Sequence, residues 1–231
     1  MLTIDRHGVA VHFDETGFTE RPYVYLPLAR GRWYEEAFLE HIRSLDLVGA
    51  YVDVGAHLGT HTLWYAMLCP STVVHAIEPV TRYADVVDRN VAANGLEGRV
   101  LVHRVGVSDR AGFATNYLSR EHQVGFVSDA EPVRETFEIV RLDELVPRPV
   151  VLIKLDIEGM ELAAIQGAER LLEDRPVVFA EAHSEEELDA IDGLLDQRGY
   201  RATGRVFNAS PTYEWVARDR SDGSGRPKAA G

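Results

Sequence analysis

Residues 50–60 read Ala-Tyr-Val-Asp-Val-Gly-Ala-His-Leu-Gly-Thr, and this stretch decides the fold. A short β-branched run stops at Gly55, and HLGTHTLWYAMLC then carries its apolar residues at helical spacing. TVVHAIE, TRYADVVDRNVAANG and RVLVHRVGV continue the alternation of strand and helix, which is the pattern of right-handed βαβ units on a parallel sheet. Asn94-Gly95 follows the last periodic residue of the second helix, as a C-cap should.

Outward from this core, the N-terminal segment begins with alternation at Val9, Val11 and Phe13, which predicts a hairpin. Phe38, Leu39, Ile42 and Leu45 then keep helical spacing, so residues 1–45 read as a lid or brace over the main domain, 46–218. Within that domain GFATNYL and ETFEIVRL flank a polar stretch, predicting a β insertion at about 109–142 whose Ser119–Val133 part forms the acceptor pocket together with the N-terminal segment. Alternation returns with PVVLIKLD, a helix MELAAIQGAERLLE, a strand PVVFAEAH and a helix opened by the capping box Ser184 to Glu187. Two terminal strands, YRATGRVF and TYEWVAR, complete the domain, and residues 219–231 have the Gly, Ser, Pro and charge content of a disordered tail.

A chain of 231 residues with 45% apolar and 26% charged residues has material for one sizeable core. Its 24 Lys plus Arg against 37 Asp plus Glu give a net charge of -13, which disfavours nucleic acid and anionic membrane as partners. A single cysteine, Cys69, forms no internal disulfide and reads as a small buried residue. No apolar run reaches the ~18 residues of a membrane span, and the charged N-terminus is unlike a signal peptide, so the expectation is a cytoplasmic protein.

In an open parallel sheet the ligand lies outside the carboxyl ends of the strands. Gly55 and Gly59 open the helix after the first of them, where the backbone can approach a ligand and unpaired N–H groups are available. A dinucleotide fingerprint would have a further glycine between these two; Ala56 and His57 stand there instead, and Asp53 precedes the turn. An acid there repels phosphate and suits a cationic ligand. Glu78, about twenty residues on at the end of AIEP, can take both hydroxyls of a ribose. A ribose with a positive end and no phosphate describes S-adenosylmethionine better than NAD.

VDVGAHLGT, AIEP, the Asn90 and Asn94 spacing in DRNVAANG, VGVSDRAG, RLDEL and IKLDIEGMELAAIQGAERLL together resemble the FkbM family of class I S-adenosylmethionine-dependent methyltransferases. The resemblance runs from about Val52 to Glu181. It implies an α/β fold with a seven-stranded, mostly parallel Rossmann-like sheet, helices on both faces, and methyl transfer to a hydroxyl of a sugar or other small natural product. It places Asp53, Gly55, His57 and Gly59, with the adjoining Thr60 and His61, around the methionine half of the cofactor. It places Glu78 and Pro79 at the ribose and Val107 and Ser108 near the adenine. Trp33, Tyr34 and Glu35 match the aromatic-acidic element that covers the cofactor. The family often has Asn where His57 stands.

In LIKLDIEG the period of two puts Lys154 and Asp156 on one side of a central strand, Asp156 at its carboxyl end. Two charges in an apolar strand are used or paired. Amine methyltransferases of this class commonly place Asn or Asp, Pro-Pro and an aromatic here, whereas this run is Asp-Ile-Glu-Gly, which favours an oxygen acceptor. An alcohol must lose its proton as the new bond forms, so a base or a metal is required. His183, beyond Glu181 in AEAH, is the first candidate base, with His57, His61 and a Lys154 of lowered pKa behind it. Asp156 and Glu181, at neighbouring strand ends, are suitable oxygen ligands for Mg²⁺ by analogy with relatives of this architecture. The rival readings are an NAD(P)-dependent oxidoreductase and a non-catalytic protein that binds S-adenosylmethionine.

Overall fold

A computed structural model describes residues 1–18, 21–118 and 133–218. The polar stretch expected to serve the acceptor and the expected tail 219–231 lie, apart from Val133, outside the described residues. Strands β1 (Leu2–Arg6) and β2 (Val9–Phe13) form the predicted antiparallel hairpin. Helices α1 (Pro22–Ala29) and α2 (Glu36–Ser44) follow. The alternating core then runs β3 (Gly49–Val54), α3 (Thr60–Leu68), β4 (Ser71–Ile77), α4 (Thr81–Ala93) and β5 (Val100–His103). The insertion holds β6 (Gly106–Val107), β7 (Gly112–Leu118) and β8 (Val133–Val140), and after the short α5 (Leu142–Leu145) come β9 (Val150–Leu155), α6 (Glu161–Gln166) and α7 (Glu169–Leu172). The chain ends with β10 (Val177–Glu181), α8 (Glu185–Gln197), β11 (Tyr200–Phe207) and β12 (Thr212–Ala217).

Seven of the described strands form the central sheet in the order β11-β12-β10-β9-β3-β4-β5. Its core strands are parallel, and β12 runs antiparallel between β10 and β11. The winding reverses between β3 and β9, where an open sheet leaves a crevice at its carboxyl ends. The insertion is a separate three-stranded sheet, β6-β8-β7.

Both faces of the sheet are covered, which is why its strands read as nearly continuous apolar runs. On one face Tyr51, Leu152 and Phe179 pack with the hairpin and α1 to α4; on the other Val52, Ile153 and Val178 pack with α5 to α8. The N-terminal segment is therefore part of a core, burying Val11, Phe13, Trp33, Phe38 and Ile42. Cys69 is buried in this core, and burial pushes its thiol up to about 12. Among the described residues no helix is long and apolar enough to cross a membrane.

Two local readings change. The stretch expected as one helix is two, α6 and α7, broken at Gly167, where an added Cβ would sit 2.1 Å from the Ser108 carbonyl oxygen. Close approach of the insertion interrupts the periodicity there. Helix α1 was not predicted, because Pro27 lies inside it and PYVYLPLA has hardly any polar face. Half of the capping box forms: Ser184 Oγ accepts the Glu187 N–H at 3.2 Å, whereas the Glu187 carboxylate accepts at 2.7 Å from the N–H of His183, one residue before the cap.

Candidate active site

At the carboxyl ends of β3, β4, β9 and β10 lies a cleft of about 780 Å³. It gathers Tyr34, Glu35, Gly55, His57, Thr60, His61, Glu78, Pro79, Lys154, Asp156 and Glu181, residues more than a hundred positions apart in sequence. Gly55 makes the convergence of β3 and β9 possible, since with φ at +79° any Cβ would meet the Asp156 carbonyl oxygen at 1.9 Å. Three of the non-glycine residues with positive φ, Glu35, His57 and Glu158, also line the cleft. Backbone strain of this kind concentrates at working sites.

Glu78 is held by backbone: its carboxylate accepts from His57 N and Val80 N, each at 2.9 Å. Burial pushes its pKa up to about 7, although both hydrogen bonds and the charge of Lys154 oppose the rise. His57 packs edge-on against Tyr83 with ring centroids 4.6 Å apart. Burial, reinforced by the charge of Arg21, lowers its pKa to about 3, so the ring is neutral. His61 stacks on Tyr34, and its Nε2 lies 3.1 Å from a Glu35 carboxylate oxygen without forming a well-aligned hydrogen bond. Trp33, expected with Tyr34 and Glu35, turns instead into the core and donates its Nε1–H to the Thr60 carbonyl at 3.1 Å.

Asp53 does not line the cleft. Its position in β3 points it into the first core beneath the floor, where it accepts from Thr62 Oγ1 at 2.6 Å and sits 3.3 Å from Lys154 Nζ. Asp53 and Lys154 are direct partners across β3 and β9. The same ammonium lies 3.5 Å from Asp156 and donates to the Gly55 carbonyl at 3.1 Å. Burial alone would lower the lysine's pKa, the condition on which its use as a base depended. The charges of Asp156, Asp53 and Glu35 outweigh burial and raise it, so Lys154 stays an ammonium and is corrected from base to fixed cation.

Asp156 and Glu181 both line the cleft, near enough for each to perturb the other's charge. Burial and the charge of Asp156 push Glu181 up to about 8, whereas Lys154 overcomes burial and holds Asp156 low. His183, partly exposed, lies outside the cleft lining with Nε2 3.2 Å from Glu181. Gly59 caps α3 behind the cleft wall. Val107 and Ser108, expected near the adenine, are buried away from the cleft, Val107 in the second core. From the insertion, Thr115 and Phe137 take the place on the cleft wall.

Arg21, Tyr23, Arg82, Tyr83, Met160 and Ser210 also line the cleft and were not expected. Arg82 and Tyr83 stand in the first turn after AIEP, and that proximity was the available signal. Nothing local marks Arg21.

The donors present do not fit a resident divalent cation. The Lys154 ammonium already lies 3.5 Å from Asp156, and among the described residues no group of three or more His, Cys, Asp or Glu side chains could hold a metal ion. They do fit a nucleoside with a charged amino-acid end. Glu78 presents a backbone-fixed carboxylate, and His61, whose buried Nε2 has only the Glu35 carboxylate nearby among the described residues, lines the cleft.

Known structures share this architecture at low identity. The chain is 20% identical to the methyltransferase FkbM of Methylobacillus flagellatus KT, covering 74% of this chain and 44% of that one, with a TM-score of 0.58. It thus spans less than half of that protein. The O-methyltransferase of Bacillus cereus, solved with SAH, is 16% identical over 78% of this chain and 79% of its own, with a TM-score of 0.52. A putative rRNA-methylase of Clostridium thermocellum is 14% identical over 78% and 93%, also at 0.52. No curated protein matches the chain at a significant level. The profile of the methyltransferase FkbM domain matches residues 53–202, well over half the chain and spanning the glycine turn, Glu78 and the Lys154–Asp156 strand end, and the chain accordingly belongs to the FkbM family of S-adenosylmethionine-dependent methyltransferases.

Proposed function

We propose that the protein is an O-methyltransferase acting on a hydroxyl of a sugar or related small natural product. The observation that carries this reading is the pair of carboxyl groups, Asp156 and Glu181, in the cleft lining, with the Lys154 ammonium 3.5 Å from Asp156. The net charge of -13 and the carboxylates at Glu35, Glu78, Asp156, Glu158 and Glu181 along the cleft favour a small acceptor over a nucleic acid.

Glu78 would hold the ribose hydroxyls, and Glu35 with His61 the amino-acid end, under Tyr34. The bound cofactor supplies an electrophilic methyl group. The chain's own task is to align the acceptor oxygen and remove its proton. Asp156 accepts the hydrogen bond of the acceptor hydroxyl, and Lys154 fixes the orientation and charge of that carboxylate. As the oxygen gains its new bond the proton enters the Asp156–Glu181 pair. His183, 3.2 Å from Glu181 on the solvent side, carries a proton out, so it serves here as relay rather than as first base. No metal enters this reading.

Two measurements test it. Calorimetry should show S-adenosylhomocysteine binding with no response to NAD, and a mass-spectrometric screen of glycosides and polyketide-type alcohols should show gain of one methyl group, unaffected by EDTA. Absence of S-adenosylhomocysteine binding ends the proposal, and transfer only to amines or RNA ends its oxygen-acceptor part.

A further inference from the structure

We infer that Glu161 is a positioning residue for methyl transfer: from behind the cleft wall its carboxylate holds the turn 157–159 and thereby sets the aim of Asp156. The inference rests on the reading above in which Asp156 accepts the acceptor's hydrogen bond and proton.

Glu161 is the first residue of α6, only 3% exposed, and does not line the cleft. One of its carboxylate oxygens accepts the Ile157 N–H at 2.7 Å, and the other accepts the Gly159 N–H at 2.9 Å. Both donors precede α6, so these bonds serve the turn rather than the free N–H groups of the helix. Burial raises the pKa of Glu161, and the two N–H donors oppose the rise. An acid is kept in such a place only if its bonds offset the cost of burial.

What the carboxylate fixes is the end of β9. The Asp156 N–H donates to the Val54 carbonyl at 3.1 Å, which holds the residue from its amino side. The Ile157 N–H belongs to the planar peptide that carries the Asp156 carbonyl, so Glu161 holds the same residue from its carboxyl side. That carbonyl oxygen passes Gly55 so closely that an added Cβ would lie 1.9 Å from it. With both adjoining peptides fixed, the Asp156 side chain is kept facing the cleft, 3.5 Å from Lys154. Beyond it Glu158 and Gly159 take φ of +57° and +93°. A non-glycine residue persists in the left-handed region only where its surroundings hold it, and the bond from Gly159 to Glu161 supplies that hold.

The test is Glu161→Gln in the whole protein. The amide keeps the shape but has a single oxygen, so its NH₂ group faces one of the two N–H groups. With the glycoside that gains a methyl group fastest in the screen above as acceptor, kcat should fall about 10²-fold, the cost of a misplaced reacting group, while the KM for S-adenosylmethionine and the affinity for S-adenosylhomocysteine are kept. That binding also shows the variant to be folded; if it is not, Glu161→Asp makes the same comparison. In an Asp156→Asn background Glu161→Gln should add no further loss of rate, because both changes act through one carboxyl group. Amide hydrogen exchange should quicken at Ile157 and Gly159. Wild-type kcat in Glu161→Gln beside an impaired Asp156→Asn overturns the inference alone, as does full additivity of the two losses. Near-normal turnover in Asp156→Asn sinks the reading of Asp156 and this inference with it. If no glycoside accepts a methyl group, the exchange measurement decides whether Glu161 holds the turn, and unchanged rates at both amides overturn it.

Discussion

Glu181 and Glu214 lie on neighbouring antiparallel strands, β10 and β12, two positions apart in register, and both carboxyls are nearly inaccessible to solvent. Their fates differ. Glu214 receives Thr203 Oγ1 at 2.7 Å and Arg205 at 2.9 Å, and pairs with His41 of α2 at 2.7 Å. These bonds overcome burial and hold its pKa down at about 2. Glu181 faces another carboxyl instead, and burial together with Asp156 drives it up to about 8. The lesson is that burial alone does not mark a site. A buried acid supplied with donors ties elements together, here the N-terminal helix to the sheet edge, whereas a buried acid beside a like charge is kept poised to exchange a proton.

The sharpest way to break the contrast is on the poised side. Asp156→Asn should reduce methyl transfer by about 10²–10⁴-fold, the usual range for losing a proton-transfer group, with S-adenosylhomocysteine affinity nearly unchanged. Initial rates by mass spectrometry and calorimetry check this, and near-normal turnover would remove the carboxyl pair from the mechanism. Next, Lys154→Met strands Asp53 in the core and should cost about 3–5 kcal/mol of stability in denaturant unfolding. A loss below about 1 kcal/mol would mean that Lys154 is not the counter-charge of the buried acids.

The pH dependence of stability should have opposite signs at the two glutamates. Glu181 rises from an ordinary value of 4.5 to about 8, so the native state holds its proton more tightly. Its contribution is full below about 4.5 and is lost as pH rises toward 8. Glu214 falls from 4.5 to about 2, so its contribution is present above 4.5 and is lost as pH falls toward 2. Glu181→Gln should flatten the alkaline limb and Glu214→Gln the acid limb; unfolding free energies across pH read both, and a swap of the two limbs would reverse the assignment.

Much of the site was legible because strand ends are. The period of two put Lys154 and Asp156 on one side, and the glycine turn and AIEP placed Gly55 and Glu78 by their order in βαβ units. Asp53, expected at the cofactor from its place before the glycine turn, is fully buried beside Thr62 and Lys154, because its side chain lies within the packed sheet rather than on the turn itself. Val107 and Ser108, expected near the adenine, are buried and do not line the cleft, to which the insertion contributes Phe137 and Thr115.

By itself the sequence determined the alternating α/β core, its turns and caps, and the family, because backbone propensity, apolar periodicity and short motifs are properties of neighbours along the chain. Only the tertiary structure decided the state of the charges. Whether Lys154 is base or counter-ion, and whether Glu181 is poised and Glu214 quiet, depend on Coulomb interaction and desolvation. Those act through space over a few ångströms, between residues that the chain itself keeps far apart.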